Sequence, residues 1–254
     1  MNALITVLSA IIKPILSNGV KIVWENRNFL SLYFKTMYGK YRDKDIRFSI
    51  SGLYKIQIPG TNKYLLVFNR RIANQLQPVG GAYKRFEDEN LFNKWSYKPD
   101  NARNGLDVDE KSYGDLRFMV KGKNVISVLT WFASEMGREL DPRREFKEEL
   151  VDSGILNYAN FNHFNQKKIR RFSKNLSWSD HFTCFEILVF EVYELIPNDT
   201  QKNELIELAK KPYDRAKGYA IVSCDDIEQL RFMQDGIQVA RIGQHSKLLI
   251  NKSF

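Results

Sequence analysis

The clearest pattern along the chain is an alternation of apolar and polar positions that begins at residue 46. Apolar side chains stand at every second position over residues 46–50 and 54–58, which is the spacing of a β-strand with one buried face. Residues 63–69 form a second, more continuously apolar run, and residues 182–195 are the most apolar β-prone stretch of the chain. We predict strands in these stretches, the last of them at the centre of a sheet.

Helical spacing of apolar residues, three and four apart, occurs over residues 26–41 and 124–136. A further helix is predicted between Asp141 and Gly154. An aspartate accepts hydrogen bonds at a helix start, Pro142 has no N–H group to leave unpaired there, and glycine commonly follows a helix end. Because strands alternate with helices, the predicted fold class is α/β or α+β.

Length and composition predict one large domain with an extension. The chain has 254 residues, of which 43% are hydrophobic and 27% are charged, so it has ample material for a core and is unlike a disordered chain. We place a helical extension at residues 1–45 and the main domain at residues 46–254. Residues 87–113 are polar and punctuated by proline, asparagine and glycine, which predicts an insertion around residues 85–135.

The N-terminal segment contains an apolar run over residues 3–12 that Lys13 and Pro14 interrupt. A membrane-spanning helix needs roughly 20 apolar residues, and a secretory signal needs a positive start that is missing here. Three roles stay open for this segment: an interfacial helix, a weak membrane anchor, or a helix that packs on a partner or on a second copy in a homo-oligomer. The expected location is the cytoplasm, with attachment to the inner membrane through residues 1–45 as an option.

The charge balance favours anionic partners. The chain carries 39 lysine and arginine residues against 30 aspartate and glutamate residues, a formal net charge of +9. A positive surface raises the local concentration of phosphate-bearing molecules. The chain has only two cysteines, which excludes a disulfide framework and a cysteine-based zinc site.

The most specific chemical signal is a group of three glutamates, Glu145, Glu148 and Glu149. Their spacing places them on one face of a helix, where like charges repel unless a cation lies between them. Carboxylate oxygens favour Mg²⁺ or Mn²⁺, which neutralise phosphate oxygens and activate water. The alternative is a solvated, charged helix face.

The residues around these glutamates resemble the Nudix box. Arg144, Glu145, Phe146, Glu148 and Glu149 match its REUxEE core, in which U is an apolar residue, and the pair Gly80–Gly81 resembles the glycines that open it. The resemblance implies a Nudix-type α/β/α sandwich with a mixed sheet. It also implies that the three glutamates bind Mg²⁺ or Mn²⁺ together with the Gly81 carbonyl, that one glutamate serves as the base through water, and that Arg144 orients the glutamate side chains.

The box departs from the family pattern in its spacing. Five residues normally separate the box glycine from the first glutamate, whereas the nearest candidate here, Glu139, lies 58 positions after Gly81. Only four residues separate Glu139 from Arg144, where seven are usual. An insertion therefore splits the box, and we expect metal binding rather than efficient catalysis.

Further motifs, taken in their order along the chain, resemble the SMODS-associated Nudix domain over roughly residues 46–250. They are residues 46–51, 64–67, 77–84, 131–132, 138–139 and 242–248. This resemblance implies an effector or sensor in cyclic-oligonucleotide-based antiphage signalling (CBASS), acting beside a nucleotidyltransferase that makes a cyclic nucleotide messenger. Hydrolysis of a phosphate-linked nucleotide is the expected activity. The alternative is an inactive nucleotide-binding receptor that signals through its N-terminal segment.

Other residues are candidates for ligand binding. Arg70, Arg71 and Lys84 flank the glycine pair and are expected to contact phosphates. The basic run at residues 166–171 binds phosphate or forms a solvated face. Several aromatic residues and histidines are candidates for base stacking or a direct role, although core positions are the more usual explanation: Tyr83, Trp131, Trp178, His163, His181 and His245.

Overall fold

The computed structural model describes residues 27–70, 72–86, 89–100 and 114–253. The strands are β1 (Asp45–Lys55), β2 (Lys63–Phe68), β3 (Gln75–Gln77), β4 (Gly80–Ala82), β5 (Lys98–Pro99), β6 (Arg117–Lys121), β7 (Asn165–Ser179), β8 (Cys184–Ile196), β9 (Tyr219–Ser223), β10 (Arg231–Gln234) and β11 (Ile237–Ile242). The helices are α1 (Arg27–Met37), α2 (Glu89–Lys94), α3 (Val125–Ala133), α4 (Arg143–Phe146), α5 (Tyr158–Phe161), α6 (Asp199–Lys210) and α7 (Cys224–Gln229). A π-helical turn, Lys147–Val151, continues α4, and a 3₁₀ turn, Gln244–Ile250, follows β11.

The strands form two mixed sheets. The first has the order β5-β6-β1-β8-β7, and β4 pairs with β1 beyond the end of β6. Strands β1 and β8 are parallel, and the other pairs of this sheet are antiparallel. The second sheet has the order β10-β11-β3-β2-β9, in which β11 and β3 are parallel. Mixed sheets with packed helices confirm the predicted α/β class.

The core explains the periodicity of the sequence. Alternate residues of β1, among them Phe48, are buried against α3 and β6 on one side of the first sheet. Further along the chain, Tyr54 packs with Phe146 of α4 and with Leu150 of the π-helical turn; α4 and this turn together are called the α4 segment. Residues of α6 belong to the same core cluster. The inner face of the second sheet packs on Leu53, Phe190 and neighbouring residues of the first. Helix α4 and its π-helical turn are thus fixed between the two sheets by their apolar face.

The region predicted as an insertion contributes to the core of the domain. Its strand β6 pairs with β1 over Asp45–Ser49, and its helix α3 buries Val125, Val128 and Phe132. The predicted helix at residues 124–136 is therefore confirmed. Residues 101–113, the centre of the predicted loop, lie outside the described residues.

Helix α1 lies within the segment predicted as a helical extension. Leu32 is buried in the core beside α3, and the Thr36 hydroxyl donates a hydrogen bond of 2.9 Å to the Leu32 carbonyl. The apolar segment at residues 3–24 lies outside the described residues, so its membrane or packing role stays a prediction. Among the residues that the structure describes, no helix has the length and apolar character needed to cross a membrane.

Candidate active site

The insertion closes on itself at a narrow neck. Arg85 and Arg138 form an isolated antiparallel bridge. Beside it, the Glu139 N–H donates to the Lys84 carbonyl at 2.9 Å. The chain therefore enters the inserted region after Lys84 and returns to the same place at Glu139.

This neck restores the first of the two box spacings in three dimensions, while the four residues between Glu139 and Arg144 remain three fewer than the family pattern has. When residues 86–137 are set aside, five residues remain between Gly81 and Glu139, namely Ala82, Tyr83, Lys84, Arg85 and Arg138. That is the separation the Nudix pattern requires. The insertion splits the box in the sequence, but the two halves lie side by side in the fold. The expectation of metal binding rather than efficient catalysis stays a prediction.

Glu139 holds Arg144 in place. One carboxylate oxygen of Glu139 accepts from Arg144 Nε at 2.8 Å, and the other accepts from the Lys84 backbone N–H at 2.8 Å. Arg144 also contacts Glu145 at 2.9 Å and Glu148 at 3.4 Å. Burial works against the charged form of Arg144, yet the hydrogen bond to Glu139 and the neighbouring carboxylates raise its pKa. The guanidinium is thus a permanent positive charge among three carboxylates.

The start of α4, its π-helical turn and its buried apolar residues position the three glutamates of the α4 segment. The Asp141 carboxylate accepts from the Arg143 N–H at 3.0 Å, but the N-cap residue of α4 is Pro142, so the helix begins one residue later than predicted. The π-helical turn widens the helix, and the Asp152 N–H bonds the Lys147 carbonyl at 2.8 Å. Because Phe146 and Leu150 are fully buried on the opposite side, the glutamates face a cleft. The predicted helix between residues 141 and 154 is confirmed.

The glycine pair allows the backbone to lie close to two other groups, the Gly52 carbonyl and the Glu145 carboxylate. Gly80 has a φ of +131°, and a Cβ there would lie 2.1 Å from the Gly52 carbonyl oxygen. A Cβ on Gly81 would lie 2.5 Å from a carboxylate oxygen of Glu145. The Gly80 N–H donates to Glu149 at 2.8 Å. A residue with a side chain at either position would displace the backbone or the glutamate.

Glu149 is poised near neutral pH. Burial, together with the charge of Glu145, raises the pKa of its carboxyl to about 8 against the opposing effect of the Gly80 N–H. A cation beside this carboxyl would stabilise its charged form. The oxygen-only donor set fits a hard divalent ion.

In the conformation observed, however, no group of three or more His, Cys, Asp or Glu side chains within the described ranges converges closely enough to hold a metal ion. Arg144 instead forms ion pairs with both Glu145 and Glu148.

These residues line one end of a cleft of about 640 Å³. Its floor is a face of the first sheet that is made by alternate residues of β1 and β8, and the 3₁₀ turn after β11 adds His245. The lining includes Arg47, Ser49, Ser51, Leu53, Arg70, Asp115, Arg117, Phe182, Glu186, Leu188, Phe190 and His245, together with the glycine pair and the box glutamates.

The predicted phosphate ligands are only partly at the cleft. Arg70 lines it and donates to the Glu148 carbonyl at 3.3 Å. Lys84 is not among the lining residues, and its backbone N–H serves the Glu139 carboxylate instead. Arg71 lies outside the described residues.

The basic run at residues 166–171 begins the long edge strand β7, which the sequence analysis did not predict. Arg171 and Lys168 pair with Glu191 at 2.6 and 3.3 Å, and Glu191 is fully buried. Arg170 donates to the Leu248 carbonyl at 2.8 Å. Three cations of the run are therefore bonded to groups of the protein itself.

Among the aromatic and histidine candidates, His245 reaches the cleft. Its ring stacks parallel to Phe190 at 6.0 Å, and burial lowers its pKa to about 4, so the imidazole is neutral. Tyr83 is a buried core residue that donates to Glu191 at 2.9 Å. Trp131 packs on Phe92 and Trp95, as expected for a core position. The other three, Trp178, His163 and His181, are not among the cleft residues.

Several cleft residues were missed by the sequence analysis. Asp115 and Arg117 come from the insertion and pair at 3.3 Å. Burial raises the pKa of Asp115 to about 6, although Arg117 opposes the shift. The signal that could have found Arg47 was the polar face of β1, because Arg47, Ser49 and Ser51 alternate with its buried apolar residues.

The comparisons with known proteins give one match. The model of the SMODS-associated NUDIX domain matches residues 45–250 of the chain. Neither the search of curated proteins nor the search of solved structures returned a match.

Proposed function

Because the chain belongs to the SMODS-associated NUDIX domain family, we propose that it binds a phosphate-linked nucleotide in its cleft and hydrolyses a phosphoanhydride bond there. The observation that carries the proposal is the closed box: Gly81 and Arg144 meet Glu145 at one end of the cleft, which Glu149 also lines. Glu139, which is not a cleft residue, holds Arg144 in place. The biological setting is CBASS antiphage signalling, in which a partner nucleotidyltransferase supplies a cyclic nucleotide messenger.

Glu145, Glu148, Glu149 and the Gly81 carbonyl would hold Mg²⁺ or Mn²⁺. The chemistry that such an ion supplies when bound is neutralisation of phosphate oxygens and activation of the attacking water. The support for this assignment is the oxygen-only donor set and the close approach of the Glu145 carboxylate to the Gly81 backbone, where any Cβ would meet it.

Other functions in the cleft, namely orientation of the glutamates, proton acceptance and phosphate binding, are assigned to individual residues of the chain. Arg144, itself held by Glu139, orients Glu145 and Glu148. Glu149 accepts a proton from water, since a general base works best when its pKa lies near the working pH. Arg70 and Arg117 give the cleft positive charge for phosphate oxygens.

A receptor without turnover is the second candidate. The observation that favours it is the ion pairing of Arg144 with Glu145 and Glu148, which satisfies both carboxylates without a metal ion. Such a receptor would bind the messenger and pass the signal through residues 1–45.

A product assay separates the two candidates. Purified full-length protein is incubated with Mg²⁺ and cyclic di- and trinucleotides, dinucleoside polyphosphates, nucleotide sugars or nucleoside triphosphates, and products are identified by mass spectrometry. We expect a product from at least one class that disappears when EDTA replaces Mg²⁺. Binding of a panel member without any product would support the receptor, and neither binding nor product would contradict both candidates.

A further inference from the structure

We propose that the end of the cleft farthest from the box, formed by Arg47, Phe182 and Glu186, is a nucleobase subsite that prefers guanine. Phe182 provides the stacking surface, and the Glu186 carboxylate accepts hydrogen bonds from N–H groups of the base. This inference rests on the proposed function, because it specifies which nucleotide the same cleft takes.

The two ends of the cleft are set apart by the length of β1. Gly52 of β1 pairs with Gly81 at the box end, and Arg47 pairs with Glu186 of β8 at the other end. Five steps along the strand lead from Arg47 to Gly52, about 16 Å at the usual rise per residue. A nucleotide whose phosphate chain lies at the box therefore has its base near Arg47 and Glu186.

The charges at this end exclude phosphate and favour hydrogen-bond donors. Arg47 is 4% exposed and donates to both oxygens of Asp100 at 2.8 and 2.9 Å, and to Glu186 Oε2 at 2.9 Å. One cation thus lies between two carboxylates, which leaves an excess of negative charge. A phosphate would be repelled here, whereas a neutral base edge with N–H groups would be attracted.

Glu186 retains capacity for a ligand. A carboxylate has about four lone-pair positions, and Arg47 is bonded to one oxygen of Glu186. The side chain is 10% exposed and lines the cleft. Because burying charged groups costs free energy that an apolar core does not, stability alone is a poor explanation for this cluster.

Phe182 supplies the second element of base recognition. It lies in the turn between β7 and β8, where the Arg47 guanidinium carbon is 3.8 Å from its ring centroid. Arg47 therefore fixes the ring, and Phe182 lines the cleft beside Leu188. Aromatic rings that line nucleotide clefts stack on bases of any identity. The Glu186 carboxylate must therefore provide the discrimination between bases.

The carboxylate selects among the bases by their donors. Guanine offers two adjacent donors, N1–H and the 2-amino group, to a single carboxylate. Adenine and cytosine each offer one amino group beside an acceptor nitrogen, and the N3–H of uracil lies between two carbonyl oxygens that a carboxylate repels. The expected order of affinity is guanine first, adenine and cytosine next, and uracil last.

The subsite is tested in the full-length protein by equilibrium dialysis. The ligands are GTP, ITP, ATP and UTP, and pyrophosphate is the probe of the box end alone. We expect Glu186→Gln to reduce the preference for GTP over UTP from about tenfold to less than about threefold. ITP, which lacks the 2-amino group, should bind wild type less tightly than GTP does. Phe182→Leu should weaken all four nucleoside triphosphates roughly five- to tenfold, while Phe182→Trp retains affinity. Pyrophosphate should bind every variant as it binds wild type.

The control is Glu194→Gln, since Glu194 lies on the same strand and pairs with Lys55 at 2.9 Å but is not a cleft residue. If Glu186→Gln fails to fold, the two Phe182 variants and the ITP comparison still decide the matter. Unchanged affinities and base order in Glu186→Gln and Phe182→Leu would overturn the subsite while leaving the proposed function intact. If wild type binds neither the nucleotides nor pyrophosphate, the proposed function itself fails.

Discussion

At Gly81 the space between the backbone and Glu145 admits only a hydrogen atom. A Cβ there would lie 2.5 Å from the Glu145 carboxylate, so we expect Gly81→Ala to push Glu145 aside and lower turnover at least tenfold. Mn²⁺ affinity, measured by electron paramagnetic resonance, should fall as well. Adding Glu145→Asp, which shortens the side chain by one methylene, should recover part of that affinity. No recovery in the double variant would refute the steric explanation.

Glu149 makes stability depend on pH when no divalent ion is present. Its pKa rises from the ordinary 4.5 to about 8 on burial, so the folded state holds this proton more tightly than the unfolded state. The resulting stability is fully present below pH 4.5 and is lost as the pH rises through 8. Glu149→Gln should remove this loss, on the order of a few kcal/mol, between pH 5 and pH 9.

Urea unfolding in EDTA across this pH range measures the effect. Glu207→Gln is the control, because Glu207 is exposed and pairs with the exposed Lys210 on α6. Identical pH slopes for wild type and Glu149→Gln would contradict the assignment of the raised pKa to Glu149.

At the scale of elements, the neck of the insertion positions the box through Glu139. Glu139→Gln weakens the pairing with Arg144 Nε at 2.8 Å, so we expect turnover to fall about tenfold or more with little change in stability. Glu135→Gln serves as the control, since Glu135 belongs to the same insertion and contacts the exposed Lys168. Equal turnover in the two variants would show that the neck does not position Arg144. Turnover and thermal melting of both variants provide the comparison.

Strand β7 uses its cations to neutralise a buried carboxylate. Burial alone would raise the pKa of Glu191, but Arg171 and Lys168 bring it below the ordinary value. Arg171→Ala leaves Glu191 with weaker partners and should cost about 2–3 kcal/mol of unfolding free energy. The exposed Lys167 is the control, and Lys167→Ala should change stability by less than about 0.5 kcal/mol.

Denaturant titration measures both variants, and dialysis against pyrophosphate follows ligand binding. If Arg171→Ala lost pyrophosphate affinity at unchanged stability, the basic run would be a phosphate site rather than a structural one.

The elements that periodicity predicted are those with one buried face. Strands β1, β2 and β8 and helices α1 and α3 all have apolar residues at the matching spacing, because the core imposes it. Strand β7 was missed because its position at the sheet edge leaves alternating positions exposed and basic, so hydrophobic alternation is weak. The neck between Arg85 and Arg138 could not be predicted, since it depends on how the whole insertion packs on β1.

For the whole molecule, motif spacing identified the box, but the rest of the cleft comes from distant segments. Arg47, Asp115, Glu186 and His245 lie far apart in sequence and meet only because β1, β6, β8 and the last turn pack together. A short motif carries local information about one helix and one loop. Residues of a binding cleft that come from separate strands carry no common local pattern, so the sequence named His245 as a candidate but only the structure places it in one cleft with Arg47, Asp115 and Glu186.

Hydrolysis of a phosphate-linked nucleotide at the closed Nudix box is the activity that we propose for this protein. Its most direct test is metal-dependent turnover of wild type, Glu149→Gln and Glu207→Gln, measured side by side by mass spectrometry on any panel substrate that wild type converts. We predict that Glu149→Gln loses turnover by at least a hundredfold while Glu207→Gln matches wild type, because only Glu149 lies at the glycine pair. Turnover by Glu149→Gln at the wild-type rate would contradict the account.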